Sequence, residues 1–285
     1  MNRGNIPCFV GAVLMSTIGR ISKEPPFRLL AGAIVRILPV SLKTKAEWDA
    51  VARPNYLMGV LYAASQAKEE DRKEASVVEF GVAGGNGLLA LESYAAAVEK
   101  ETGVNIQVWG FDTGQGLTKL CGDHRDHPDR YTEGEYAMEK FQLTSRLSSR
   151  TKLILGDVAQ TVQAFVKEAS YPPIGFISVD LDLYSSSKHA LQILALPGTR
   201  ILRRVAMYFD DVDSHVHHRW AGELLAIQEF NEDRGSVKID CWRGIESGRP
   251  FPERVWLKRM YIAHDLAAIS LVKPRQSRRQ LPLIS

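Results

Sequence analysis

From Ser76 onward the chain repeats one unit: a short, continuously apolar run, a turn, then a longer stretch with helical spacing. The runs are Val77–Val82 (VVEFGV), Ile106–Asp112 (IQVWGFD), Lys152–Leu155, Ile174–Asp180 (IGFISVD) and Val205–Asp210 (VAMYFD). Strands that stay apolar without alternating are buried on both faces, and their rhythm with helices marks a parallel sheet between two helical layers. Helices are expected over Leu88–Glu101, Thr161–Glu168, Ser187–Leu196 and Trp220–Phe230. Weaker strand patterns at Val237–Cys241 and Lys258–Ile262 complete a seven-stranded set. The expected class is α/β, a doubly wound and mostly parallel sheet.

A chain of 285 residues, 45% hydrophobic and 24% charged, supports one large domain with an appendage or two small domains. It buries enough surface to fold without a disulfide or structural metal. Cys8, Cys121 and Cys241 are odd in number and scattered, which suggests neither a disulfide framework nor a zinc module. A reducing cytoplasm is the expected setting.

The ends differ from the body. Residues 1–45 carry seven Lys/Arg against Glu24 alone, and residues 273–285 carry four Lys/Arg and no acid. These read as solvated tails, with no nucleic-acid partner expected. Residues 6–19 are mostly apolar but too short to span a bilayer, and residues 27–38 are amphipathic at helical spacing. Such helices suit a covering element in a homo-oligomer, with contact to a membrane surface as the lesser alternative. Asp49–Ala67 also reads as helical, Pro54 marking a helix start. The expected division is a helical extension or lid over 1–70, a cofactor-binding domain over 71–272 and a basic tail over 273–285. Residues 113–150 form a long polar connection, of the kind that usually serves as a lid or substrate loop.

The first apolar run leads into EFGVAGGNG, residues 79–87, which then opens a helix. In that setting glycines let the backbone turn sharply and approach a ligand. Gly85-x-Gly87-x-x-Ala90 also satisfies a dinucleotide pattern, so a nicotinamide cofactor competes with a methyl donor. Glu79, just before Gly81, can anchor the loop or meet the amino group of a methionyl moiety. Asp112 at the second strand end can accept hydrogen bonds from a ribose diol, and Asp157 at the third can face an adenine edge.

Asp180 and Asp182 end the fourth strand, and Asp210 and Asp211 end the fifth. In a doubly wound sheet these ends share the rim of the glycine loop. Four converging carboxylates repel unless protonated or bound to a cation, and all-oxygen ligands suit a hard ion such as Mg²⁺. His124, His127, His215, His217 and His218 lie near enough in sequence to act as base or ligand, though a surface role is commoner.

The segments EFGVAGGNG, VWGFDTGQGL, LILGDVAQTV, FISVDLDLYSSSKHAL and YFDDV, taken in order, resemble class I S-adenosylmethionine-dependent methyltransferases. The likeness covers about Arg53 to Phe230 and is nearest to the macrocin O-methyltransferase group, which methylates sugar hydroxyls with Mg²⁺. It implies a Rossmann-like methyltransferase fold. By position it implies cofactor contacts from Tyr56, Glu79, Gly81, Val82, Gly85, Asp112, Thr113, Asp157, Val158 and Asp180. It also implies metal ligation by Asp180, Asp210 and Asp211, and a general-base role for Asp182. Tyr56 resembles a residue that closes over the cofactor. Val212 departs from the group, which has an aromatic after its paired aspartates, and so do the basic N-terminus and the His/Asp/Arg loop. The reaction implied is methyl transfer to a hydroxyl of a small molecule or sugar. The alternatives are a catechol-type O-methyltransferase, a nicotinamide dehydrogenase and a non-enzymatic cofactor-binding protein.

Overall fold

The structure, a computed structural model, describes residues 27–167 and 170–273. The apolar run 6–19, the expected helix end at Glu168 and nearly all of the basic tail lie outside the described residues.

Seven strands form one sheet: β1 Glu74–Phe80, β2 Asn105–Asp112, β3 Thr151–Leu155, β4 Ile174–Val179, β5 Ile201–Phe209, β6 Val237–Cys241 and β7 Met260–Asp265. Their spatial order is β3-β2-β1-β4-β5-β7-β6. All neighbours are parallel except β7, which runs antiparallel to both β5 and β6. The chain moves outward one way from β1 to β3 and the other way from β4 to β5. The order therefore reverses between β1 and β4, the place where such sheets open a crevice beyond their carboxyl ends.

The sheet is covered on both faces because its strands carry apolar side chains on both. Val77, Ile106, Val108, Phe176 and Ala206 pack under the helices Pro54–Glu69 and Asn86–Thr102. Val78, Phe111, Ile177, Met207 and Phe209 pack under Val158–Lys167, Tyr184–Leu191 and Gly222–Glu232. Each fully buried Val, Leu, Ile or Phe contributes about 1.5–3 kcal/mol. The helix Pro54–Glu69 lies hard against the sheet. A Cβ at Gly59 would stand 2.3 Å from the Phe176 ring, and one at Gly175 would stand 2.6 Å from Ala63. This helix is a layer of the domain rather than an appendage to it.

Several boundaries differ from the sequence pattern. β1 stops at Phe80, because Gly81 takes φ +83° and turns the chain out of the sheet before Val82. The last strand begins at Met260 rather than Lys258, since Val255–Lys258 forms one helical turn that buries Leu257. The helix after β4 begins at Tyr184, directly after the aspartate turn, and passes into a 3₁₀ turn at Gln192–Leu194.

The helix Phe27–Ile37 turns Arg28 and Gly32 inward. Arg28 pairs with Glu253 at 3.0 Å, and Gly32 faces the Phe251 ring. Its other side leaves Leu29 62%, Leu30 63% and Ile37 82% exposed. Among the described residues no helix is long and apolar enough to cross a membrane.

Candidate active site

The glycine loop is built by close backbone approach. Asp180 donates its N–H to the Phe80 carbonyl at 2.9 Å, and Gly81 donates to that of Phe111 at 3.0 Å. A Cβ at Gly81 would come 1.7 Å from the Asp180 carbonyl oxygen, so only glycine lets β4 pass there. Gly85, at φ +80°, caps the helix Asn86–Thr102, with Leu143 from the long connection packed where a Cβ would point. Asp112 binds the loop from below: Oδ2 accepts from the amides of Val82 and Ala83, both at 2.9 Å, and Oδ1 accepts from Gly114 at 2.6 Å. Thr113 donates to the Gly116 carbonyl at 2.6 Å and steadies the turn that follows.

Under the first turn of that helix sits a buried pair. Tyr56 donates its hydroxyl to Glu79 Oε1 at 2.6 Å, and Ser178 donates to Tyr56 Oη at 3.1 Å. Glu79 Oε2 has no partner. Burial pushes the Glu79 carboxyl up to about 8, against the lowering effect of the Tyr56 hydrogen bond. Tyr56 is 1% exposed, its ring edge-on to Phe176 and Tyr208. It lies beneath the loop, not over the crevice.

Across the crevice, Asp180, Asp210 and Asp211 bring one carboxylate oxygen each to within 4.8 Å of one another. Asp210 is held from behind, its Oδ1 accepting from Arg259 and from Tyr208, both at 2.6 Å. Asp211 Oδ2 is buried without a partner. Asp182 stands at φ +60°, in a turn closed by Leu183 N–H donating to the Leu181 carbonyl at 2.5 Å. Such a conformation is uncommon outside glycine, and aspartate and asparagine are among the residues that adopt it most readily. Tyr131, from the long connection, lines the cavity with Asp182 and lowers its proton affinity, while the neighbouring Asp211 raises it.

Burial and nearby carboxylates raise Asp180, Asp182 and Asp211. Asp180 is raised by burial and then by Asp210 and Asp211. Asp182 is pushed up to about 7 by burial and by Asp211. Asp211 is raised by burial and by Asp210. Protons are one remedy for such a cluster and a divalent cation is another. The orphaned Asp211 oxygen and the all-oxygen donor set fit a hard cation.

These two halves border one cavity of about 430 Å³. Of the residues expected to meet cofactor, metal or substrate, Gly81, Asp112, Thr113, Asp180, Asp182, Asp210 and Asp211 line it. Tyr56, Glu79, Val82 and Gly85 lie behind its wall. Asp157 lies apart: it is exposed, and its Oδ1 accepts from the Ala159 amide at 2.8 Å, capping the next helix, while Val158 is buried in the core. Leu117, Arg130, Tyr131, Glu135 and Tyr136 close the cavity from the long connection, whose length alone had pointed to a site role.

Glu223 was not visible as a site residue. It is fully buried in the first turn of Gly222–Glu232, and its Oε2 accepts from the Asp211 amide at 3.0 Å. His127 is also buried, with ring centroids 6.0 Å from His217 and 5.3 Å from His218. His217 Nε2 stands 3.6 Å from Asp211 Oδ1. No histidine joins the three-aspartate cluster among the described residues.

No family model matches this sequence, and no curated protein does. Among solved structures the chain is similar to CalS11, a calicheamicin methyltransferase. The two are 19% identical over 85% of this chain and 93% of that chain, with a TM-score of 0.51. The fold is that of the Rossmann-like methyltransferases. The chain is also similar to the O-methyltransferase TomG from Streptomyces achromogenes, involved in tomaymycin synthesis and solved with SAM. There the identity is 14%, over 82% of this chain and 94% of that chain, at a TM-score of 0.43. At that distance the second likeness adds nothing to the assignment.

Proposed function

We propose that the protein is an S-adenosylmethionine-dependent O-methyltransferase that works with a divalent cation, Mg²⁺ by its donor set, on a hydroxyl of a small molecule or sugar. One observation carries this reading. The glycine-loop residues Gly81 and Ala83, together with Asp112, share a single cavity with the Asp180, Asp182, Asp210 and Asp211 carboxylates. A dinucleotide site has no use for that acidic wall. The similarity in fold to a calicheamicin methyltransferase agrees with the choice of methyl donor.

Gly81, Ala83, Asp112 and Thr113 would hold the methyl donor, and Asp180, Asp210 and Asp211 the cation. When bound, S-adenosylmethionine supplies an electrophilic methyl group, and the cation supplies positive charge beside the acceptor oxygen. The chain's own contribution is position and proton transfer. Arg259 and Tyr208 fix Asp210, and Glu223 fixes Asp211 through its amide. Asp182, beside Tyr131 in the cavity wall and raised to about 7, is suited to take the acceptor's hydroxyl proton. Leu117, Tyr131 and Tyr136 wall the cavity, limiting the water that would compete as acceptor.

The test is melting of the protein with S-adenosylhomocysteine against NADH, followed by turnover on panels of sugars and catechols with Mg²⁺ or EDTA. S-adenosylhomocysteine should raise the melting temperature, and turnover should vanish with EDTA and return with Mg²⁺. Stabilisation by NADH alone would overturn the reading. The acceptor panel separates a sugar enzyme from a catechol-type one.

A further inference from the structure

The residue at the start of Gly222–Glu232 does more than begin a helix. Gly222 takes φ +57° against the His127 ring, and the turn it makes directs Glu223 back beneath the end of β5. Glu223 is 0% exposed. Its Oε2 accepts from the Asp211 amide at 3.0 Å, and its Oε1 is shut off from water with no donor in reach. Asp211 Oδ2 is in the same condition. A carboxylate in the first turn of a helix is favoured by the helix dipole, but that needs no burial and leaves no oxygen stranded. Burying an acid with one oxygen unpartnered is costly, so the fold gives up stability to hold Glu223 against the Asp211 amide.

We propose that Glu223 is a positioning residue of the cation seat, fixing Asp211 through its main-chain amide. This rests on the cation reading above. It assigns a fourth acidic side chain to a seat formed by Asp180, Asp210 and Asp211. Asp211 is then held at the backbone by Glu223 and approached at the side chain by His217, so its carboxylate is presented from a fixed main chain. Residues behind the ligands of a metal commonly alter affinity about 10–100-fold when replaced.

The experiment is calorimetric titration of the full-length chain, stripped with EDTA, using MgCl₂ and separately S-adenosylhomocysteine. Glu223→Gln retains volume and an oxygen for the Asp211 amide, so its Mg²⁺ affinity should stay within about twofold of the parent's. Glu223→Ala, which gives up the amide contact, should raise the Mg²⁺ dissociation constant about tenfold or more, with S-adenosylhomocysteine affinity unchanged, and the rise in melting temperature on adding Mg²⁺ should shrink. Should the alanine variant fail to fold, Glu223→Met, of similar volume but without the acceptor, decides. Parent-like Mg²⁺ affinity in the variant that lacks the acceptor would overturn the proposal, as would an equal loss in Glu223→Gln. Should the unaltered chain take up no divalent cation, the cation reading itself fails, before any substitution is made.

Discussion

Tyr56 and Glu79 are joined by a 2.6 Å hydrogen bond directly under the first turn of the helix that follows the glycine loop. A Cβ at Gly87 would lie 1.9 Å from Glu79 Oε1 and 3.0 Å from Tyr56 Oη, so loop, helix and pair fit together only with glycine at that position. The bond ties the helix Pro54–Glu69 to β1. Tyr56→Phe would leave both Glu79 oxygens unpartnered in the core and deprive Ser178 of its acceptor. The expected cost is about 1–3 kcal/mol in urea unfolding, accompanied by weaker S-adenosylhomocysteine binding. An unchanged unfolding midpoint would show that the pair does not support the loop.

The same pair predicts a pH dependence. Folded Glu79 keeps its proton up to about 8, whereas its ordinary value is 4.5. The folded state therefore binds more protons between those values, and stability declines as pH rises through that window. The contribution is complete below the ordinary value and lost above the raised one. Asp182, raised to about 7, acts in the same sense over a narrower range. Glu79→Gln should flatten the decline, leaving the part due to Asp182 and its neighbours. Unfolding midpoints measured across this range in EDTA check it, and a slope identical to the parent's would refute the buried-acid account.

Two glycines of the loop, three residues apart, separate fold from site. Gly81 combines φ +83° with the Asp180 carbonyl at its back, while a Cβ at Gly84 would meet nothing within 4 Å. Gly81→Ala should cost roughly 3 kcal/mol or more and give little soluble protein, since both strain and overpacking oppose it. Gly84→Ala should melt within about a degree of the parent, as expected of a substitution outside any packed feature. The informative readout at Gly84 is cofactor affinity, because a methyl group there changes the lining of the loop alone.

Much of this architecture was legible because parallel strands buried on both faces must be apolar throughout, as IGFISV and VAMYF are. The aspartates were legible for a related reason: Asp180, Asp182, Asp210 and Asp211 follow such runs immediately, where only the rim remains. The limits are just as physical. β1 ends before Val82 because Gly81 has a left-handed φ, which a pattern of hydrophobicity does not encode. The place of Tyr56 depends on Gly59 and Ala63 being small enough for their helix to lie on Phe176 and Gly175, a tertiary fit. Asp157 has the right position in sequence, but its carboxylate is engaged in capping the following helix. Glu223 looked like any acid opening a helix, and only its burial distinguishes it.

Asp182 offers the sharpest test of the chemistry. Its φ of +60° and the tight turn from Leu181 to Leu183 set it in the cavity wall with Tyr131 and Asp211 as neighbours. Asparagine tolerates the left-handed region, so Asp182→Asn should fold as the parent does and differ chiefly in losing a proton acceptor. Methyl transfer should drop about 10²–10⁴-fold, the range general-base catalysis supplies, while calorimetry finds S-adenosylhomocysteine and Mg²⁺ bound nearly as before. Tyr131→Phe should give a smaller loss, because it leaves the carboxylate in place and removes only a neighbouring hydroxyl that lowers its proton affinity. Substantial turnover by Asp182→Asn with the parent's acceptor would mean the proton leaves by another route, with the buried His127 and its neighbour His217 the next groups to replace.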